Sequence, residues 1–333
     1  MKTRKLGNTD LELTELGFGG LAVGNLYRPT SHDEAYAAIK AAWHAGVRYF
    51  DTAPSYGYGL SERLIGDALR EFDRSSYVIS TKVGRLLVPD GNPKKYEQGK
   101  HEQYPGALPF RVEYDYSYDG IMRSFEDSLQ RIGTNYIDMV YIHDIGRMTH
   151  GAAHDVMMRS LLESGYRALQ ELREQKVVRA IGLGVNEWEV CVEVMPHTNL
   201  DCFMLAGRYT LLEQRVLQTF FPECAKRGIS VIAAGPYNSG VLANGQNYNY
   251  ETADHRTVLR VNAIQKICDA YQIDLPHAAL QFPLRHSQVV SVVAGARTEE
   301  QVALSVNYIQ QQVPPRLWQS LKEADLLAVE APV

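Results

Sequence analysis

The sequence predicts an α/β fold, one (β/α)8 barrel spanning residues 1–333, and three observations predict it. Eight apolar, β-prone runs follow one another along the chain. Most are continuous rather than alternating, as expected for strands buried on both faces of a parallel sheet. Helical patterns separate them, and no linker or change of composition divides the chain. An open, doubly wound sheet is the alternative arrangement.

In chain order, RKLGNTDLEL comes first and reads as a hairpin around a Gly-Asn-Thr-Asp turn. The eight runs are then LTELGFG (13–19), VRYFDTA (47–53), YVISTKV (77–83), YIDMVYIH (136–143), VVRAIGLG (177–184), CFMLAGR (202–208), ISVIAAG (229–235) and VVSVVAG (289–295). Between the first two, Ser31-His32-Asp33-Glu34 forms a capping-box signature, and Ala35, Ala38, Ile39 and Ala42 follow at the spacing of one helix face. Met122, Phe125, Leu129 and Ile132 repeat that spacing. SLLESGYRALQELREQK, RVLQTFFPECAKRG and VLRVNAIQKICDAYQ also read as helices. Two connections are long, residues 84–118 with five tyrosines and residues 236–256. Both follow strands, so in a barrel both lie at the C-terminal face, where barrel sites form.

Composition narrows the function classes. The chain has 333 residues, is 45% hydrophobic and carries a formal charge of −5. That mild charge points neither to nucleic acid nor to an anionic membrane surface. No apolar stretch reaches the ~20 residues of a membrane-spanning helix. The start, MKTRKLGNTD, lacks the apolar centre of a signal peptide. Cys191, Cys202, Cys224 and Cys268 are scattered with no CxxC pair, and read as reduced packing residues of a cytoplasmic protein without a metal.

Gly17-Phe18-Gly19-Gly20-Leu21-Ala22 matches a dinucleotide fingerprint by letter. That motif works by opening a helix directly onto a pyrophosphate. Here Pro29 and a polar stretch come before the next helix signal at Ser31, so the glycines read as a βα loop.

Four ionisable side chains stand at neighbouring strand ends: Asp51, Tyr56 just beyond it, Lys82 and His143. Singly, each has an ordinary reading as a turn cap, a loop aromatic, a surface lysine and a core histidine. Together they suit proton transfer at an alcohol or carbonyl oxygen. A lysine ending a buried strand needs a charge partner, and Asp51 is available. An ammonium beside a tyrosine favours phenolate and lowers its pKa from ~10. The imidazole can hydrogen-bond the reacting oxygen. The carbon partner of that step is a hydride, which calls for a nicotinamide.

DTAPSYG, STKVG, YIHD and GVN, in this order, resemble the aldo-keto reductase superfamily over nearly the whole chain. The resemblance implies a catalytic tetrad of Asp51, Tyr56, Lys82 and His143, with Tyr56 as general acid/base, and NAD or NADP extended across the barrel mouth. It places Gly20, Leu21, Asp51 and Asn186 at the nicotinamide end, the turn of Gly235, Pro236, Tyr237 and Gly240 along the pyrophosphate, and Gly295, Arg297 and Gln301 at the adenosine end. It also implies a hairpin that closes the barrel bottom. YDYSYDGIMRSFEDSLQRIG (114–133), GVNEWEVC (184–191), LAGRYTLLEQ (205–214) and GPYNSGVL (235–242) resemble the D-threo-aldose 1-dehydrogenase (L-fucose dehydrogenase), pyridoxal 4-dehydrogenase and L-galactose dehydrogenase branches. These imply oxidation of a cyclic hemiacetal to a lactone, with a small sugar or aldehyde as substrate. The chain departs from the family pattern at Ala206, Ala234, Gly295, Gln301 and Ser305. Only Arg297 is left as a phosphate or adenine contact, which leans the cofactor toward NAD or dual use. General aldehyde reduction, a non-catalytic cofactor-binding channel subunit and homo-oligomer formation stay open.

Overall fold

The computed structural model describes residues 1–91 and 103–333. The part of the first long connection at 92–102 lies outside the described residues. Eight parallel strands close a barrel in chain order: Leu16–Gly19, Tyr49–Asp51, Val78–Val83, Met139–His143, Ala180–Val185, Cys202–Ala206, Ser230–Ala234 and Val289–Gly295. The eighth strand pairs with the first, Val292 opposite Leu16. Closure rules out the open sheet.

Strand alternation sorts the side chains. On the third strand Ile79 and Val83 join the layer between barrel and helices, while Val78 joins the barrel interior. Ser80 and Lys82 share the face of Val78. Tyr49 and Asp51 take the same positions on the second strand, and Met139, Tyr141 and His143 on the fourth. The interior therefore runs from apolar at the bottom, through the hydroxyls of Tyr49, Ser80 and Tyr141, to charged groups at the mouth. Tyr49 Oη lies 3.0 Å from both Ser80 Oγ and Tyr141 Oη.

The hairpin pairs Thr3–Lys5 with Glu12–Thr14. Its Leu6, Leu11 and Leu13 pack among Tyr49, Met139, Tyr141 and Ile232, so the hairpin plugs the bottom. Gly7 donates its N–H to Ser230 Oγ at 2.7 Å. Its φ of +48°, with the Gly228 carbonyl 2.9 Å from where a Cβ would stand, admits only glycine comfortably.

The helix His32–His44 has the predicted capping box, and it buries Ala35, Ala38, Ile39 and Ala42. In Tyr118–Ile132 the buried face is Ile121, Phe125 and Ile132 with Ser124 and Ser128. Met122 and Leu129 flank it. The helix is thus rotated from the predicted stripe, and its buried face carries small serines. SLLESGYRALQELREQK opens as a π turn, Leu161–Gly165, before the helix Tyr166–Glu174. The first long connection is not plain loop: Arg85–Pro89 pairs antiparallel with Phe110–Tyr114. Among the described residues, all four cysteines are free and buried, and no helix is long and apolar enough to cross a membrane.

Candidate active site

The sheet register brings Asp51 opposite Ser80, Lys82 opposite Tyr141 and His143 opposite Gly184. Lys82 Nζ donates to Asp51 Oδ2 at 2.8 Å, Asp51 Oδ1 at 3.0 Å and the Thr52 carbonyl at 3.0 Å. Ser80 Oγ donates to Asp51 Oδ1 at 2.7 Å. Both charges are 2% exposed. Burial pushes the Asp51 carboxyl up, and the Lys82 ammonium works against that rise.

Tyr56 stands above this pair. Lys82 Nζ lies 4.7 Å from its ring centroid, and the His143 ring meets it edge-on at 6.1 Å. All four tetrad residues converge. Burial pushes the Tyr56 phenol well above its ordinary value, with the Asp51 and Asp144 carboxylates adding to the rise and Arg85 opposing it. Burial also holds the His143 imidazole well below its ordinary value, helped by Arg85 and Lys82, so it is neutral at pH 7. Among the described residues, His143 Nδ1 is buried without a hydrogen-bond partner.

Two hollows meet at Tyr56. A cleft of about 260 Å³ is lined by polar groups, among them Ser55, Arg85, Tyr104, Asp144 and Asn186. A groove of about 280 Å³ runs from Asp51 and Leu21 past Gly235, Tyr237 and Gly240 to Gly295 and Arg297. Leu21, Leu26, Tyr56, Ala206, Ala234 and Tyr250 border both. A larger hollow of about 550 Å³ lies at the hairpin end, around Met1, Arg4 and Glu15, away from the tetrad.

The groove fits an extended dinucleotide. Ala206, Ala234 and Val293 give it an apolar lining, and Gly207, Gly235 and Gly240 have positive φ. Its one acidic wall residue among those described, Asp51, is paired with Lys82. Its one cation among the described residues, Arg297, donates to the Leu26 carbonyl.

Three expected contacts do not line the groove. Gly20 is buried behind it, giving its N–H to the Asp51 carbonyl at 2.7 Å. A Cβ there would stand 2.4 Å from Ser61 Oγ, so packing requires the glycine. Pro236 is buried under the turn. Gln301 instead accepts the Arg297 N–H at 2.8 Å.

The structure adds residues that the sequence reading passed over. Asp144 accepts from Arg85 Nη2 at 2.6 Å and from the Asn186 N–H at 3.0 Å. Tyr250 Oη donates to Asn186 Oδ1 at 3.3 Å. Of the tyrosines in the first long connection, Tyr104 faces the cleft. Tyr116 is fully buried and donates to the His143 carbonyl at 2.7 Å, and Tyr118 donates to Glu171 at 2.6 Å. Asp144 was adjacent to a chosen residue in YIHD, and that adjacency was the available signal.

Residues 15–326 match the model of the Aldo/keto reductase family. The chain is 43% identical to a pyridoxal 4-dehydrogenase of Microbacterium luteolum, covering 98% of each chain. It is 39% identical to a D-threo-aldose 1-dehydrogenase of a Pseudomonas species, covering 95% of each. Among solved structures, it resembles the holo form of an aldo-keto reductase from Bacillus halodurans, with a TM-score of 0.77 and 26% identity, covering 98% of this chain and 97% of that one.

Proposed function

This chain belongs to the aldo/keto reductase family, and on that premise we propose that it oxidises the anomeric hydroxyl of an aldose to a lactone, using NAD or NADP. The observation that carries the reading is the position of Tyr56 and His143 where a polar cleft meets a largely apolar groove. Arg85, Asn186 and Tyr104 give the cleft donors and acceptors suited to a ring of hydroxyls.

The bound nicotinamide supplies the hydride acceptor. The protein manages the proton. Asp51, itself held by Ser80, and the Thr52 carbonyl hold Lys82 beneath Tyr56. The neutral His143 ring is available to hydrogen-bond the anomeric oxygen. Tyr56, once deprotonated, takes the hydroxyl proton as C1 gives up hydride, and then returns that proton to solvent. Its raised pKa keeps the phenol protonated, the form required for donation in the reverse, reductive direction. Among the described residues, Arg297 is the one cation lining the groove, with Gly295 and Gln301 uncharged, which favours NAD over its 2′-phosphorylated form.

Pyridoxal is the second reading, favoured by the 43% identity to a pyridoxal 4-dehydrogenase. Its aldehyde and neighbouring hydroxymethyl can close to a hemiacetal, so the same proton chemistry applies. The test is turnover of L-fucose, L-galactose, D-arabinose and pyridoxal with NAD⁺ and NADP⁺, read as formation of reduced cofactor. Turnover of one or more sugars with NAD⁺ is expected. Turnover of pyridoxal alone selects the second reading. No reduced cofactor with any of them rejects both and favours a cofactor-binding subunit.

A further inference from the structure

Every polar atom of Asn186 has a partner. Its backbone N–H donates to Asp144 Oδ1 at 3.0 Å, and its backbone carbonyl accepts from Arg208 Nε. Its side-chain Nδ2 donates to both oxygens of Asp144, at 3.2 and 3.3 Å. A carboxylate only accepts, so the amide has one permitted orientation: NH₂ toward Asp144, Oδ1 away from it. Oδ1 then faces the Tyr250 hydroxyl, which borders both cleft and groove.

Asp144 is built for holding rather than for contacting a ligand. It is 7% exposed, and its two oxygens already receive Asn186 N, Asn186 Nδ2 and Arg85 Nη2, with His143 Nε2 at 3.6 Å. Its backbone is left-handed, φ +42°, a conformation that costs a non-glycine residue free energy and persists where the surroundings fix it. Its N–H donates to the Gly184 carbonyl at 3.0 Å, tying it to the strand that delivers Asn186.

We propose that Asp144 is a positioning residue that fixes the Asn186 amide with its carbonyl toward the junction of cleft and groove, as the acceptor for an N–H donor of the bound nicotinamide's carboxamide. The Tyr250 hydroxyl satisfies that acceptor in the free protein and yields it when the cofactor binds. This rests on the proposed nicotinamide site, and the test separates the two.

The experiment is a double-mutant cycle on NADH binding without substrate, followed by fluorescence, using Asp144→Asn, Asn186→Ala and both together. Each single variant should weaken binding roughly tenfold, because a charge-assisted hold or its acceptor is lost. The double variant should bind no worse than Asn186→Ala. Asp144→Glu keeps a charge for Arg85 but displaces the carboxyl, and should show the same loss and the same non-additivity, which covers a poorly folding Asp144→Asn. Additive losses, or wild-type binding by Asp144→Asn or Asp144→Glu, overturn the positioning role. Absence of NADH and NADPH binding by the wild-type protein overturns the nicotinamide site itself, and this inference with it.

Discussion

Strands two, three and four of the barrel bring Asp51, Lys82 and His143 to the mouth, whereas strands six, seven and eight end in Ala206, Ala234 and Gly295. The first side is a buried ionic cluster in which each group has a partner within hydrogen-bond reach or a ring edge against it. The second side is backbone and methyl groups. One half holds charges where protons move. The other leaves room for a large, flat molecule to lie on strand ends. Reactivity needs side chains at fixed positions, and accommodation needs their absence.

The sharpest way to break this division is Tyr56→Phe. It should cut turnover by roughly 10²–10⁴-fold while leaving NADH binding near wild type, because only the proton carrier is lost. Steady-state rates and direct binding measure the two halves separately. A large loss of binding instead would mean that the ring belongs to the groove as much as to the cluster.

Next is Lys82→Met, which strands the Asp51 carboxylate at 2% exposure. Breaking such a buried pair should cost about 3–5 kcal/mol in urea denaturation. A much smaller loss would show Asp51 taking up a proton once its partner is gone, in keeping with the upward push of burial on its carboxyl.

The smallest expected effect is in pH. The folded His143 has a depressed pKa, whereas in the unfolded chain it titrates near ~6.5. Above that pH both forms are neutral and no stability is lost. As pH falls through it, the unfolded chain takes the proton first and stability drops, by at most about 1.4 kcal/mol per pH unit from this group. Urea midpoints at about pH 7.5 and about pH 5.5 should therefore differ less in His143→Gln than in the wild type. Equal acid slopes would mean that the imidazole is not the group resisting protonation.

The ionic half was the legible half. Asp51, Lys82 and His143 close continuous apolar runs, and the period-two geometry of a strand sends them to the face that carries Tyr49, Val78 and Met139 into the interior. The capped helix at Ser31 was equally local, since Glu34 lies three residues from its partner. The groove half was harder to read. Glycines and alanines carry no chemistry to recognise, and Gly20, Pro236 and Gln301 fall in the right segments but face away from the hollow.

The sequence by itself determined the alternation of strands and helices, the strand ends and the residues standing there, because periodicity and capping act within a few positions. Only the tertiary structure decided which of those residues hold one another. Arg85, Asp144, Asn186 and Tyr250 form a chain of hydrogen bonds whose links span 59, 42 and 64 residues of sequence. Such contacts depend on barrel closure and on the paths of two long connections. Those paths are set by packing across the whole mouth and leave no local period to read.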